Sequence, residues 1–291
     1  MACLSSSQAG GAGEAMNVAG ALLVCDLDGT LLDSRHEISE KNRQAIWRFV
    51  ENGGMFTIAT GRMEASVKPI ADALRLTLPA ILYNGASIYH FERRQVVWSQ
   101  SLPEVAADIV GEVALHFPGV GIEIYVDGQP YFYRENVQTR QHQIKEGMNP
   151  RYGHPAPHGE RMSWQKVLIA WSQERLVEVE AFLRERQVPL HLVRSEPHFL
   201  EVLPPGVNKG TALEKLLHYM DFRPTVVVAM GDHFNDAELL QYADIGVAVD
   251  NAHDQVKRFA NRIGVHHDQH AVAEVIEWLE RMNREEQLFT R

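Results

Sequence analysis

From Ala21 onward, short apolar runs alternate with amphipathic stretches. ALLVCDL (21–27), MFTIAT (55–60) and AILYN (80–84) read as strands, and ISEKNRQAIWRFVENG (38–53) and MEASVKPIADALR (63–75) between them carry apolar residues at helical spacing. Strands that stay apolar throughout and are joined by helices predict a parallel sheet covered on both faces. After Asn84 the pattern changes to antiparallel signals. SIYHFERRQVVWSQ reads as two strands round a polar turn, a helix follows from about Pro103 to Phe117, and GIEIYV-DGQP-YFY reads as a hairpin. A poorly patterned stretch from about 136 to 162 precedes a strand KVLIAW, a helix ending near Arg186, and strands VPLHLV and HFLEVL. The first pattern returns from Val207, as helix NKGTALEKLLHYM, strand TVVVAMGD, helix NDAELLQYA, strand IGVAV, helix AHDQVKRFA and a last helix near 270–284.

An insertion therefore splits an α/β unit. The expected division is a core at 19–85 and 204–291, interrupted by an α+β unit at 86–203, with Pro204-Pro205-Gly206 as a connector back to the core. Residues 1–18, rich in Ser, Gly and Ala without periodicity, are read as a flexible tail, with Met16 as an alternative start.

Composition narrows the function. The 291 residues hold 28 Lys and Arg against 38 Asp and Glu, for a formal net charge of -10. No basic stripe suits a phosphate backbone, so nucleic acid is excluded as the expected partner. No apolar run reaches the roughly 20 residues of a membrane span. Cys3 and Cys25 are the only cysteines, and Cys25 lies inside an apolar run. A buried thiol and a cytoplasmic protein are expected.

The chemistry collects where the strands end. The first strand closes on Asp26-Leu27-Asp28-Gly29-Thr30, and in open α/β sheets ligands bind beyond the carboxyl ends of strands. Side chains two apart on an extended segment share a side, so Asp26 and Asp28 can address one ligand. A lone pair of this kind is more often a turn or a cap. The odds change because a second strand ends at Asp232, followed by Asn235 and Asp236. A small hard cation such as Mg²⁺ takes oxygen ligands from one or two carboxylates plus a phosphate. Thr60-Gly61-Arg62 adds a hydroxyl and helix N-terminal amides suited to phosphate, and Asn208-Lys209-Gly210 opens another helix with an ammonium group. A lone Lys is usually a solvated surface charge.

DLDGTLL (26–32), TGR (60–62), NGA (84–86), NKG (208–210) and GDHFND (231–236), in that order, resemble the haloacid dehalogenase-like (HAD) phosphatases, and within them the Cof-type hydrolases with a large inserted cap. The resemblance spans about residues 20–284. It implies a Rossmann-like parallel-sheet α/β core with an α+β cap. It also implies an aspartyl-phosphate mechanism, with Asp26 as nucleophile and Asp28 as general acid and then base. Thr60 and Lys209 would hold the phosphoryl oxygens, with Gly61, Arg62, Asn84, Gly85 and Asn235 among the phosphate- and substrate-binding positions. Mg²⁺ would be held by Asp26, the Asp28 backbone carbonyl and Asp232, with Asp236 in the metal group and, like Asn235, orienting the site. The chain departs from the family's pattern at His233, where Asn is usual, at Ala237-Glu238, and at HHDQHAVA near the C-terminus, with His266, His267 and His270. That histidine cluster is read as incidental rather than as a metal site. Glu123, Tyr125, Asp127, His191 and Arg194 lie at or near strand ends of the inserted unit and are candidates to face substrate.

The expected function is a Mg²⁺-dependent phosphomonoesterase for a small phosphorylated metabolite of the sugar phosphate, nucleotide or pyridoxal phosphate class. The rivals are a sugar-phosphate mutase, which would return the phosphoryl group to sugar, and a non-catalytic phospho-ligand sensor. Asp28 and the insertion weigh against the sensor. Closure of the cap about crossings near Asn84–Ser87 and Leu203–Val207 is expected to sequester the reaction.

Overall fold

A computed structural model describes residues 18–155, 163–221 and 223–289, with side chains described as far as Met282. The chain runs β1 (Ala21–Cys25), α1 (Glu40–Glu51), β2 (Met55–Ile58), α2 (Glu64–Leu74), β3 (Ala80–Leu82), β4 (Ser87–His90), β5 (Gln95–Ser99), α3 (Val105–His116), β6 (Gly121–Val126), β7 (Gln129–Arg134), α4 (Val137–Glu146) and β8 (Arg151–Tyr152). It continues through β9 (Trp164–Ala170), α5 (Gln173–Glu185), β10 (His191–Glu196), β11 (Phe199–Leu203), α6 (Lys209–Tyr219), β12 (Val226–Gly231), α7 (Ala237–Tyr242), β13 (Ile245–Ala248), α8 (Asp254–Lys257), β14 (Arg262–Ile263) and α9 (Ala271–Phe289). Residues 1–17 of the expected tail lie outside the described residues; Val18 is buried.

The continuously apolar strands form one parallel sheet in the order β14-β13-β12-β1-β2. All five residues of β1 are buried, as a strand flanked by partners and covered on both faces must be. The expectation for β3 needs correcting. A single parallel bridge, Ala59 to Ile81, joins it to the segment after β2, and its ladder is antiparallel with β4 in a separate three-stranded sheet, β3-β4-β5.

The inserted segment builds a six-stranded sheet in the order β10-β11-β9-β6-β7-β8. Its alternation decides what reaches the site, because successive side chains on a strand point to opposite faces. Ile122, Ile124, Val167, Ile169, Leu200 and Val202 pack in one apolar cluster with α3 and α5. The intervening Glu123, Tyr125, Lys166, Leu168 and Glu201 occupy the other face, and all five are buried there. The stretch expected to lack pattern contains α4. This helix is capped by reciprocal bonds between Asn136 and Thr139 and ends on Gly147 in the left-handed region.

One close approach fixes the crossing between the sheets. Gly85 has φ +105, and a Cβ there would stand 2.3 Å from the carbonyl oxygen of Asn208, at the start of α6. Gly85→Ala is expected to cost at least about 2 kcal/mol, from backbone strain plus displacement of that helix start. A thermal melt showing an unchanged midpoint would contradict this.

Candidate active site

β1 delivers Asp26 to the carboxyl edge of the sheet, where its amide donates to the Met230 carbonyl oxygen at 3.0 Å. From β12, on the neighbouring strand, the chain turns through Asp232 to Asp236. A Cβ on Gly231 would stand 2.5 Å from the Asp236 Cβ, and one on Gly29 2.4 Å from Asp232 Oδ2, so both glycines let acids and backbone approach closely. The N-terminus of α6, capped by Asn208 and Thr211, supplies Lys209.

These elements converge on one buried ion cluster. Lys209 Nζ donates to Asp26 Oδ1 and to Asp236 Oδ1, each at 2.6 Å, and its side chain is wholly buried. Asp236 Oδ2 accepts the amides of Asp232 (2.9 Å) and His233 (3.1 Å). Both Asp236 oxygens are therefore engaged by protein donors, which suits an orienting residue better than a direct metal ligand. Asp26, Asp232 and Asp236 have carboxylate oxygens all within 4.8 Å of one another. Burial and then Asp236 push Asp26 up to about 7, against the pull of Lys209. Burial, Asp26 and Asp236 raise Asp232 as well. Burial opposes the charge on Lys209, but Asp236 and Asp26 hold its pKa above the ordinary lysine value.

Three acids sharing one ammonium make a site short of positive charge, and this donor set fits a hard divalent cation. Asn235 supports the fit. Its Nδ2 donates to Asn84 Oδ1 at 2.9 Å, while its own Oδ1 is buried with no hydrogen-bond partner among the described residues.

Asp28 sits apart from this cluster, across a cavity of about 310 Å³ lined by Asp26, Asp28, Thr60, Gly61, Arg62, Asp232 and Asn235 from the sheet edge. Arg62 grips it with a fork, Nε to Oδ2 at 2.8 Å and Nη2 to Oδ1 at 2.6 Å. Lys145 Nζ lies 3.4 Å and His36 Nδ1 3.7 Å from Oδ1. Burial works against ionisation, but Arg62, Lys145 and His36 outweigh it and hold Asp28 well below the usual carboxylate range. Arg62, expected to bind phosphate, thus spends its guanidinium on the Asp28 carboxylate.

Thr60 lies in the cavity wall, its Oγ1 accepting the Arg62 amide at 3.2 Å. Asn84 and Gly85 are placed differently from the expectation and do not line the cavity. Asn84 is a strut whose Nδ2 donates to Glu201 Oε2 at 2.8 Å while its Oδ1 receives Asn235, and Gly85 packs on the start of α6.

The six-stranded sheet and α4 close the other side. His142, Lys145, Glu146, Lys166, Glu196 and Glu201 line the cavity, and none was singled out from sequence. Lys166 crosses to donate to the Gly61 carbonyl oxygen at 2.8 Å. Glu123 and Tyr125 do share a face, joined by a 2.7 Å hydrogen bond, but lie behind the cavity wall. Asp127 bonds Ser163, Arg194 pairs with Glu180, and His191 bonds the Val207 carbonyl oxygen, so these three are occupied elsewhere.

His233 also reaches across, bonding the Arg194 carbonyl oxygen through Nδ1 at 3.1 Å. The C-terminal histidines each have a hydrogen-bond partner in the protein, and His266 and His267 lie with Asp268 in one group of possible metal ligands. His266 caps the Asp268 amide, His267 bonds the Leu32 carbonyl oxygen, and His270 bonds Ser39 Oγ.

A parallel sheet with this acid-and-lysine constellation at its carboxyl edge defines an α/β hydrolytic enzyme. The haloacid dehalogenase-like hydrolase profile matches residues 23–276, and the chain belongs to that family, in its Cof-type branch. It is 30% identical over 270 residues to the HMP-PP phosphatase of Serratia proteamaculans, covering 89% of this chain and 95% of that protein. It is 27% identical over 250 residues to a pyridoxal phosphate phosphatase of Escherichia coli, covering 82% and 91%. A haloacid dehalogenase-like hydrolase from Bacteroides thetaiotaomicron superposes with a TM-score of 0.77 at 30% identity, covering 89% of this chain and 98% of that one. The chain is thus an enzyme, a HAD-like phosphatase acting on phosphoric monoester bonds. No helix among the described residues is long and apolar enough to cross a membrane.

Proposed function

We propose that this enzyme is a Mg²⁺-dependent phosphomonoesterase for small phosphorylated metabolites that works through an aspartyl-phosphate on Asp26. One observation carries the reading: Asp26, pinned by the buried Lys209, lines the same cavity as Asp28. Lys209 occupies Asp26 Oδ1, which leaves Oδ2 to attack phosphorus. As that bond forms, the bond from phosphorus to the ester oxygen breaks, and Asp28, which takes up a proton from solvent once Arg62 has left it, gives that proton to the departing alcohol.

Arg62 shifts its fork from Asp28 to the substrate during this first step. When it returns, it holds Asp28 as the carboxylate, the form able to take a proton from water. That water attacks phosphorus, the bond to Asp26 breaks, and inorganic phosphate leaves. Thr60 and Lys209 orient the phosphoryl oxygens throughout. Asp26, the Asp28 carbonyl and Asp232, aided by Asn235 and by Asp236 as an orienting acid, would hold Mg²⁺, whose charge would offset the repulsion between carboxylate and phosphate.

The cavity is at the small end for a ligand site, and the relatives named for HMP-PP and pyridoxal phosphate act on small phosphorylated compounds. Sugar phosphates, nucleotides and pyridoxal phosphate form the panel to test. We assign 86–203 as the cap, hinged near Asn84–Ser87 and Leu203–Val207, and place the enzyme in the cytoplasm, where the buried free thiol of Cys25 stays reduced. Phosphate release from the panel is expected with Mg²⁺ and to fall at least about a hundredfold with chelator, since a metal supplies several kcal/mol of charge stabilisation. Release that survives complete chelation would refute the metal's role, and no release at all would refute the phosphatase.

A further inference from the structure

We propose that Glu146 selects the substrate's leaving group, as an acceptor for a hydroxyl or amino hydrogen, and that the buried pair His142 and Glu123 positions it. This inference rests on the phosphatase reading above.

His142 and Glu146 are one turn apart on α4 and therefore share a face. His142 Nε2 lies 3.1 Å from Glu146 Oε1, and its Nδ1 lies 2.9 Å from Glu123 Oε2. Tyr125 donates to that same Glu123 oxygen at 2.7 Å. An imidazole whose two nitrogens both face carboxylates must donate from both, so the ring is held as imidazolium. Burial opposes that charge, but Glu123 and Glu146 outweigh it and push His142 up to about 10. Burial likewise opposes ionisation of Glu146, yet His142, Arg62 and Lys166 bring it down to about 2. One cation between two carboxylates leaves the trio with a net negative charge.

That charge faces the cavity through Glu146. Its side chain is 8% exposed and lines the cavity, and its Oε2 takes no hydrogen bond from the described residues. Asp236 offers the contrast, because both its oxygens are satisfied by protein donors, as expected of a purely structural acid. The other cavity-wall glutamates each meet a lysine directly, Glu196 meeting Lys145 at 2.5 Å and Glu201 meeting Lys166 at 3.1 Å. That free oxygen opens on the cavity, where water or a substrate group that donates a hydrogen can meet it. A carboxylate accepts only, so the complementary group is a hydroxyl or an amine, and a second anionic group at that point is repelled. The structure thereby assigns the substrate class as monophosphates of polyhydroxy or amino-bearing leaving groups.

The test compares ribose 5-phosphate, rich in hydroxyls, with p-nitrophenyl phosphate, whose leaving group carries no donor. In Glu146→Gln the Oε1 acceptor for His142 is kept, while an NH₂ group replaces the free oxygen. The ratio of kcat/KM for ribose 5-phosphate over p-nitrophenyl phosphate is expected to fall at least about tenfold, mainly through KM. His142→Gln should lower the same ratio in the wild-type background and change it less than about twofold when added to Glu146→Gln, because it acts through that carboxylate. Equal losses on both substrates in Glu146→Gln would reduce Glu146 to a structural acid and overturn the proposal. Should His142→Gln fail to melt cooperatively, Glu146→Gln alone decides. Wild-type turnover of p-nitrophenyl phosphate without ribose 5-phosphate would sink this inference and leave the phosphatase standing, whereas turnover of neither would bring down both.

Discussion

Asp26→Asn is expected to lower phosphate release at least about 10⁴-fold, an effect of the size seen when a nucleophile is removed. The substitution is nearly isosteric and keeps the backbone bond to Met230, so the loss is chemical. An amide oxygen is too weak a nucleophile to form the acyl phosphate. Lys209 keeps its bond to Asp236 in the variant, so the ammonium is not stranded and the fold should melt cooperatively near the wild-type temperature. Acid-quenched single turnovers should show covalent phosphate in the wild type and none in the variant. Retention of a tenth or more of wild-type activity by correctly folded Asp26→Asn would move the nucleophile elsewhere, with water attacking phosphorus directly.

Much of this was legible because parallel strands and their ends leave strong marks. Uninterrupted apolar runs locate β1, β2 and β12, and chemistry in such sheets collects where those runs stop. Asp26 and Asp232 could therefore be placed together across more than 200 residues of chain. β3 misled because three apolar residues do not say which edge they pair with, and its ladder to β4 depends on the chain reversing at Asn84 and Gly85, both at positive φ.

The cavity wall built by α4 and the six-stranded sheet was not legible. VQTRQHQIKE has no apolar stripe, since α4 covers a buried polar network rather than an apolar core, and hydrophobic periodicity is blind to such a helix. Asn136 with Thr139, and the closing Gly147, were the only local signals. Alternation put Glu123 and Tyr125 on one face, but only the neighbouring strands and α4 reveal that this face is covered. Asn84 lies off the cavity lining for a related reason. Both ends of its amide are taken by Glu201 and Asn235, 117 and 151 residues further along the chain.

Lys209→Met should be the most destabilising of the substitutions considered. By residue type a lysine belongs in solvent, and its burial is explained only by Asp26 and Asp236, which arrive from distant segments. Methionine fills similar space but leaves two buried carboxylates without their cation, beside a third at Asp232. Removing one partner of a buried ion pair typically costs about 3–5 kcal/mol. For a chain of this size that lowers Tm by on the order of 10 °C. The deficit has a sign that pH can expose. With Lys209 gone, the folded protein favours protonated acids more than the unfolded chain does, so stability should recover as pH falls from 8 toward 5. Adding Asp236→Asn removes one stranded charge, so the double variant should melt above Lys209→Met alone, a coupling that mere loss of packing would not produce. Activity should stay at least about 10²-fold down in both, because the charge proposed to steady the phosphoryl oxygens is missing in either case. Melting curves across pH for the three proteins test the argument, and a pH-independent loss would assign Lys209 to packing rather than charge.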